Sequence, residues 1–297
     1  MSEKDYICEA AVDFYQREEY LKAIQVFTMA IERDNKSAQL FYLRGNAKDK
    51  LNDKYGAISD FNQAILIDPT NAGFYNSRGL TKKNENFEFC EILLDYNKAI
   101  ELKNDYPTAL YNRACLNHER GNLQQSLTDF NAALTFNPAF TEALNNRACV
   151  WEDLKDYQAA IADYTSAISH DPKNPVFYSN RGCTYEMLRE ANLAYKDFCS
   201  AIILDPFYTI AYQHRGNIRS YLCDYQGALE DYSMVIQLDK NYMRAYQSRA
   251  EIRNLMGETK GFEKDMTTYR MLQSDLKNAD NVVKEFKSLM FLDSKNN

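Results

Sequence analysis

The stretch Thr141 to Asn174, TEALNNRACVWEDLKDYQAAIADYTSAISHDPKN, carries two amphipathic patterns in succession, and its reading decides the fold. Leu144, Ala148 and Trp151 fall at i, i+4 and i+7, on one face of a helix. Ala160, Ile161, Tyr164, Ala167 and Ile168 renew that spacing a little further on. Lys155 and Asp156 separate the two stripes as a tight turn, and Pro172, which lacks a backbone donor, closes the second helix. The product is a helical hairpin with one apolar side. It is too small to bury that side alone, so it has to stack on copies of itself.

Copies are present along nearly the whole chain. A small residue late in each first helix sits at Ala11, Gly45, Gly79, Ala114, Ala148, Gly182, Gly216 and Ala250, at intervals of 34, 34, 35, 34, 34, 34 and 34 residues. A second marker, in the second helix, runs Ala30, Ala64, Ala99, Ala133, Ala167, Ala201, Val235 and Tyr269. Small residues at these points let helix axes approach closely. Three positions before the second marker stand Phe27, Phe61, Tyr96, Phe130, Tyr164, Phe198 and Tyr232, with Met266 in the eighth unit. These bulky residues are expected to fill the space between hairpins. The single interval of 35 puts one extra residue between Gly79 and Ala99, expected in the turn near Asn84-Glu85-Asn86.

Composition sets the outer bounds. Of 297 residues, 45% are hydrophobic, and no run of eighteen apolar residues could span a bilayer. The opening MSEKDYICEA is charged and lacks an apolar signal core, which predicts a cytoplasmic chain. Seven cysteines with no CxxC pair fit reduced thiols better than a disulfide framework. A formal net charge of −7 argues against nucleic-acid binding by phosphate neutralisation, which needs clustered Lys and Arg.

With the aromatic, the small residue, the Ala and the unit-closing Pro69, Pro138, Pro172 and Pro206 in place, the chain resembles a tetratricopeptide repeat (TPR) array. Asn35, Asn104 and Lys240 replace the proline elsewhere, and Arg replaces the family's Leu before the small marker from the second unit onward. The resemblance implies an all-α solenoid, a right-handed superhelix of eight helical hairpins over residues 4–272. Residues 273–297 are expected to add a capping helix and a short tail. Its apolar stripe would be Val282, Val283, Phe286, Leu289 and Met290, with fraying from Asp293 to Asn297.

Two charged rows follow the period. Arg44, Arg78, Arg113, Arg147, Arg181, Arg215 and Arg249 precede the small marker, and Asp60, Asp95, Asp129, Asp163, Asp197, Asp231 and Asp265 hold a fixed place in the second helix. The first unit lacks both, carrying Ala10 and Val26. Joint presence and joint absence make the two rows partners, within a hairpin or across to the next. A buried guanidinium needs such a carboxylate, so a structural ion-pair row is expected here in preference to an anion-binding ladder.

The concave face, lined in TPR proteins by first helices, is the expected binding groove. Along it fall Asn112, Asn146 and Asn180, continued by Ser77, His214 and Ser248. An amide side chain offers a donor and an acceptor, so a row at the repeat spacing can pair with an extended peptide, as in the asparagine ladder of some TPR grooves. Glu142, Glu152 and Glu186, with Glu119 and Asp153, make the middle of that face acidic and select a neutral or basic segment. One turn away lie Cys115, Cys149 and Cys183, which at the ~10 Å between stacked helices stand too far apart for a disulfide or shared metal ligation. His118, His170 and His214 have no Cys or carboxylate at a recognisable ligand spacing, so neither a metal site nor any cofactor is expected.

Three function classes meet these features differently. A non-enzymatic interaction scaffold or adaptor uses every feature above, including as a structural part of a large assembly such as a cilium. A co-chaperone that captures a C-terminal carboxylate would, by the family resemblance, need Lys, Asn and Arg on consecutive first helices. The matching positions are Tyr111 and Cys115, Asn146, then Val176 and Asn180, with Arg244 one isolated match elsewhere. An enzyme finds no residues left for a catalytic domain, and no nucleophile motif, phosphate loop or metal cluster. The expected partner is therefore a protein or peptide segment, not nucleic acid or membrane, and the sequence leaves the oligomeric state open.

Overall fold

A computed structural model describes the backbone of residues 3–293 and the side chains of residues 9–278. Every element among the described residues is a helix. They divide between two compact units, Met1–Leu154 and Lys155–Asn297. The first unit holds α1 (Glu3–Gln16), α2 (Tyr20–Arg33), α3 (Ala38–Lys50), α4 (Lys54–Ile67), α5 (Ala72–Asn84), α6 (Phe89–Leu102), α7 (Pro107–Glu119), α8 (Leu123–Phe136) and α9 (Thr141–Asp153). The second holds α10 (Tyr157–His170), α11 (Pro175–Met187), α12 (Ala191–Leu204), α13 (Thr209–Tyr221), α14 (Tyr225–Leu238), α15 (Met243–Leu255) and α16 (Thr259–Asp293). Odd-numbered helices are the first helices of the repeats. Within each unit every helix packs on the next, the all-α solenoid expected of stacked hairpins. First helices also touch one another, α3 with α5 and α7 with α9, then α11 with α13 and α13 with α15. They therefore crowd onto one side of each unit, its inner face.

The turn inside each repeat is closed by one device. Glu18, Asn52, Asn86, Gly121, Lys155, Arg189, Cys223 and Gly257 all take φ between 56° and 77°. Most are not glycine, so each accepts a left-handed cost of ~1–2 kcal/mol. The offset comes from backbone hydrogen bonds that satisfy the last carbonyls of the first helix. Asp53 donates to the Lys48 carbonyl at 3.0 Å, Asn122 to Asn117 at 2.9 Å and Asp224 to Arg219 at 2.8 Å. Asp53 and Asp224 then cap the next helix, accepting from the Gly56 and Gly227 amides at 3.0 Å each.

This device also locates the extra residue of the third repeat. Phe87 donates to the Lys82 carbonyl at 3.1 Å, so the chain from Lys82 to Phe87 is closed as in the other repeats and admits no insertion. Two residues, Phe87 and Glu88, then precede α6, where Asp53 alone precedes α4 and Asn122 alone precedes α8. The insertion lies just past Asn84-Glu85-Asn86, after the bonded turn.

The bulky residue of the second helix does more than the job expected of it. A Cβ placed on Gly45 would meet the Phe61 ring at 2.7 Å, and one on Gly216 would meet the Tyr232 ring at 2.7 Å. The ring packs onto the small marker of its own hairpin and also fills the gap to the next one, where Phe198 stacks on His214, Tyr96 clusters with Leu116 and Tyr232 with Ile252. Its size is what sets the small residue there.

The cap boundary at 272/273 is not marked by any break, because α16 runs on from Thr259 to Asp293 with no proline and no glycine beyond Gly261 to end it. The side chains of Val282, Val283, Phe286, Leu289 and Met290, and the tail, lie outside the described residues. Overpacking the marker should be costly. Gly216→Val is expected to lose about 1–3 kcal/mol in chemical unfolding, because its branches would enter the Tyr232 ring. An unchanged midpoint would show that the ring is free to move.

Candidate functional site

The two charged rows meet. Arg44 donates through Nε and Nη2 to both oxygens of Asp60 at 2.9 and 2.6 Å. Arg113 grips Asp129 at 2.8 and 2.7 Å, Arg181 grips Asp197 at 2.8 Å twice, and Arg249 grips Asp265 at 2.9 and 2.7 Å. Arg215 does the same to Asp231, and Arg78 to Asp95. These carboxylates are buried, and Asp163 is buried as well. The third arm of the guanidinium reaches sixteen residues back. Nη1 of Arg44 donates to Thr28, of Arg78 to Asn62, of Arg113 to Asn97, of Arg147 to Asn131, of Arg181 to Thr165 and of Arg249 to Ser233. Each of these Arg side chains thus ties its own repeat to the second helix of the preceding one. Its fork is filled by protein, which supports the structural reading of the row.

Some of the buried carboxylates receive a second cation one turn further on. Lys48 pairs with Asp60 at 2.8 Å, Lys82 with Asp95 at 2.9 Å, Arg219 with Asp231 at 3.1 Å and Arg253 with Asp265 at 2.6 Å. In the fourth and sixth repeats that position is held by Asn117 and Tyr185, which bring no charge.

The polar row of the inner face is largely engaged between neighbouring first helices. Asn112 donates to Asn76 at 3.0 Å, and both are buried. Asn146 donates to the Tyr111 hydroxyl at 2.9 Å and to Cys115 Sγ at 3.4 Å. Ser77 lies 3.3 Å from the Tyr42 hydroxyl, and Ser248 accepts from Gln213 at 3.3 Å. Asn180 is half-buried. Asn112, at 8% exposure, corrects the expectation of a peptide contact at that position: its amide is turned onto Asn76 of α5. Three of the five acidic residues stay open. Glu142 is exposed, Glu119 and Asp153 are 57% and 58% exposed, and Glu152 and Glu186 are half-buried. Lys83 pairs with Glu119 at 2.7 Å, and His118 lies 2.7 Å from Asp153.

The cysteines divide into two kinds. Burial pushes the Cys115 thiol up, against hydrogen bonds from Asn146 and Tyr111, which fits a wall residue and not a nucleophile. Cys183 instead lies beside Glu186 and His214. That corrects the expectation that no histidine has a Cys or carboxylate within ligand reach. His214 Nδ1 is 2.8 Å from a Glu186 oxygen. Burial pulls the imidazole down, but bonds and charges from Cys183 and Glu186 outweigh it and push it up to about 10. The separation of 31 residues between Cys183 and His214 is no local motif. The Cys115–Asn146 contact has the same separation, so the repeat register was the signal that could have found it.

Hairpins stacked at this register define the α-solenoid repeat class. The tetratricopeptide repeat family models match residues 38–71 and 141–174. The chain thus carries tetratricopeptide repeats. Solved structures with this fold include a tetratricopeptide repeat protein from Parabacteroides merdae, at 18% identity and TM-score 0.62, covering 84% of this chain and 98% of that one. MamA from Desulfovibrio magneticus RS-1 aligns at 20% identity and TM-score 0.53 over 58% of this chain and 96% of its own. YrrB, described as a TPR protein with an unusual peptide-binding site, aligns at 19% identity and TM-score 0.52 over 62% and 95%. At these identities the likeness concerns the fold. No curated protein matches the chain.

The second cation makes the Arg row testable residue by residue. Arg113→Ala leaves Asp129 buried with no flanking cation one turn on, and is expected to cost ~3–5 kcal/mol. Arg44→Ala should cost less, because Lys48 still reaches Asp60. Chemical unfolding of both variants checks the order, and equal losses would show that the second cation is idle.

Proposed function

We propose that this chain is a non-enzymatic interaction scaffold that holds an extended, neutral or basic segment of a partner protein along the inner face. The observation that carries this reading is the set of open carboxylates, Glu119, Glu142 and Asp153, on adjacent first helices α7 and α9 of the first unit. A basic segment laid across them gains charge complementarity, and rim charges of this kind act mainly on the association rate. The net charge of −7 favours the same partner class over nucleic acid. No helix among the described residues is long and apolar enough to cross a membrane. That YrrB, with the same fold, carries a peptide-binding site supports a groove as the site of action. In this reading the half-buried Asn146 borders the segment with Ser77 and Glu152 in the first unit, and the half-buried Asn180 does so with Glu186 and Ser248 in the second. The cytoplasm, where thiols stay reduced, is the compartment this reading assigns.

The array itself is taken as residues 4–272, with residues 273–293 covering the last hairpin. Leu272, Asp275 and Leu276 line a hollow with Asn241 and Met243 at the start of α15, which supports that role. Deleting residues 274–297 should lower the thermal midpoint and increase binding of a hydrophobic dye. A truncated chain that melts like the parent removes the cap from the proposal.

The groove is tested with Glu142→Lys combined with Asp153→Lys, in affinity capture from cells that make the protein followed by titration of captured partners. Two reversed charges should weaken binding by about tenfold or more at low salt, an effect that shrinks as salt rises. The control reverses exposed charges on a second helix, Glu91→Lys with Glu101→Lys on α6. If the control loses its partners and the inner-face variant keeps them, the outer side is the binding surface.

A further inference from the structure

Cys183, Glu186 and His214 bring three donors of different chemistry to one point of the second unit. One ligand atom of each lies within 4.8 Å of the others. Cys183 and Glu186 stand one turn apart on α11, and His214 reaches them from α13. The His214 ring stacks on Phe198, with centroids 5.4 Å apart and planes at 25°, which fixes its plane in advance. A tetrahedral zinc ion with bonds of ~2.0–2.3 Å holds its donor atoms roughly 3.3–3.6 Å apart. The 2.8 Å gap between His214 and Glu186 would have to open slightly, and the wider gaps would close by about an ångström or less, which is within the reach of rotamer adjustment. The geometry points to a zinc-binding site formed by Cys183, Glu186 and His214, with the fourth coordination position left to water.

The donor set selects the ion. Magnesium and calcium take oxygen ligands, whereas one sulfur, one nitrogen and one oxygen suit zinc. Three protein ligands also match the zinc sites that keep one position open. The site is accessible, because Glu186 lines a cleft of about 450 Å³ together with Arg189, Asn217 and Tyr221. Binding exchanges the ion for the thiol proton and the proton held between imidazole and carboxylate.

The repeat register explains why these three residues meet, and it supplies an internal control. Two repeats earlier the same positions hold Cys115, His118 and Asn146, and Asn146 again contacts the cysteine. There the amide is a poor zinc ligand, and His118 is paired with Asp153. One repeat earlier they hold Cys149, Glu152 and Asn180. Only at the third of these three places do the fold and the residue types coincide. His214→Asn therefore installs the residue type that the two preceding repeats carry at this position, which keeps the variant foldable.

The test uses the full chain, stripped with chelator and kept reduced, titrated with zinc chloride alone in a calorimeter and with cobalt(II) in a spectrophotometer. One zinc per chain is expected, and a near-ultraviolet sulfur-to-cobalt charge-transfer band. Loss of an outer partner alone costs ~10–100-fold in metal affinity, so His214→Asn should weaken binding by more than about 100-fold. Cys183→Ser should abolish the band, while Cys115→Ser leaves both signals intact, with helix content unchanged by circular dichroism in all three. Absence of zinc binding, a band that survives Cys183→Ser, or wild-type affinity in His214→Asn each overturns the site.

Discussion

The bidentate grip of an Arg on a buried Asp sixteen or seventeen residues later is the constraint on which the rest of the array depends. The apolar stripes supply the driving force for stacking, but apolar contact is non-directional and does not fix how two hairpins register. The guanidinium does. Two of its arms are set by a carboxylate in the same repeat, and the third finds a hydroxyl or amide on the preceding second helix, as Arg113 does at Asn97 and Arg181 at Thr165. Such a three-way bond forms at one register only. Burying the pair is of little net benefit to stability, since desolvation offsets the attraction. Its effect is on specificity: a slipped hairpin would leave an uncompensated carboxylate in the interior, as at Asp129, which is 2% exposed.

The same sixteen-residue step couples the other defining contact. Gly45 and Phe61 are separated by it, as are Gly216 and Tyr232, and each glycine stands directly after the gripping Arg in sequence. Ring against glycine and guanidinium against carboxylate therefore close together as the first helix docks on the second. Neither contact could be shifted without breaking the other. The left-handed residue of the inner turn, held by its backbone bonds, sets the docking angle from the other end.

Much of this was legible in the sequence because repetition multiplies the signal. The helical period, the intervals of 34, the partnership of the Arg and Asp rows and the solenoid all come from comparing copies. Features without copies were harder. The extra residue was narrowed to the third repeat, but only the Phe87 to Lys82 hydrogen bond places it after the turn. The continuation of α16 is missed by looking for a cap, because an amphipathic stripe after residue 272 reads the same whether or not the helix has been interrupted. Asn112 showed the largest gap between pattern and environment. A row of amides at the repeat spacing looks like a ladder for a peptide, yet the same row also lies where first helices approach one another, and Asn112 is spent on Asn76.

That double use of the inner face shows where individuality can enter a periodic scaffold. Positions that face a neighbouring first helix are brought together in every repeat whatever residues occupy them, as Cys115 and Asn146 show. An amide placed there ties helix to helix. A histidine placed at the corresponding position opposite a cysteine and a glutamate creates a set of donors with a different chemistry, and no other part of the fold has to change. The periodic residues thus specify the architecture, and departures from the period are where a particular repeat acquires a property of its own. His214, in a column that holds Asn112, Asn146 and Asn180 in the three preceding repeats, is such a departure, and it is legible only once the column is known to be a row of contacts.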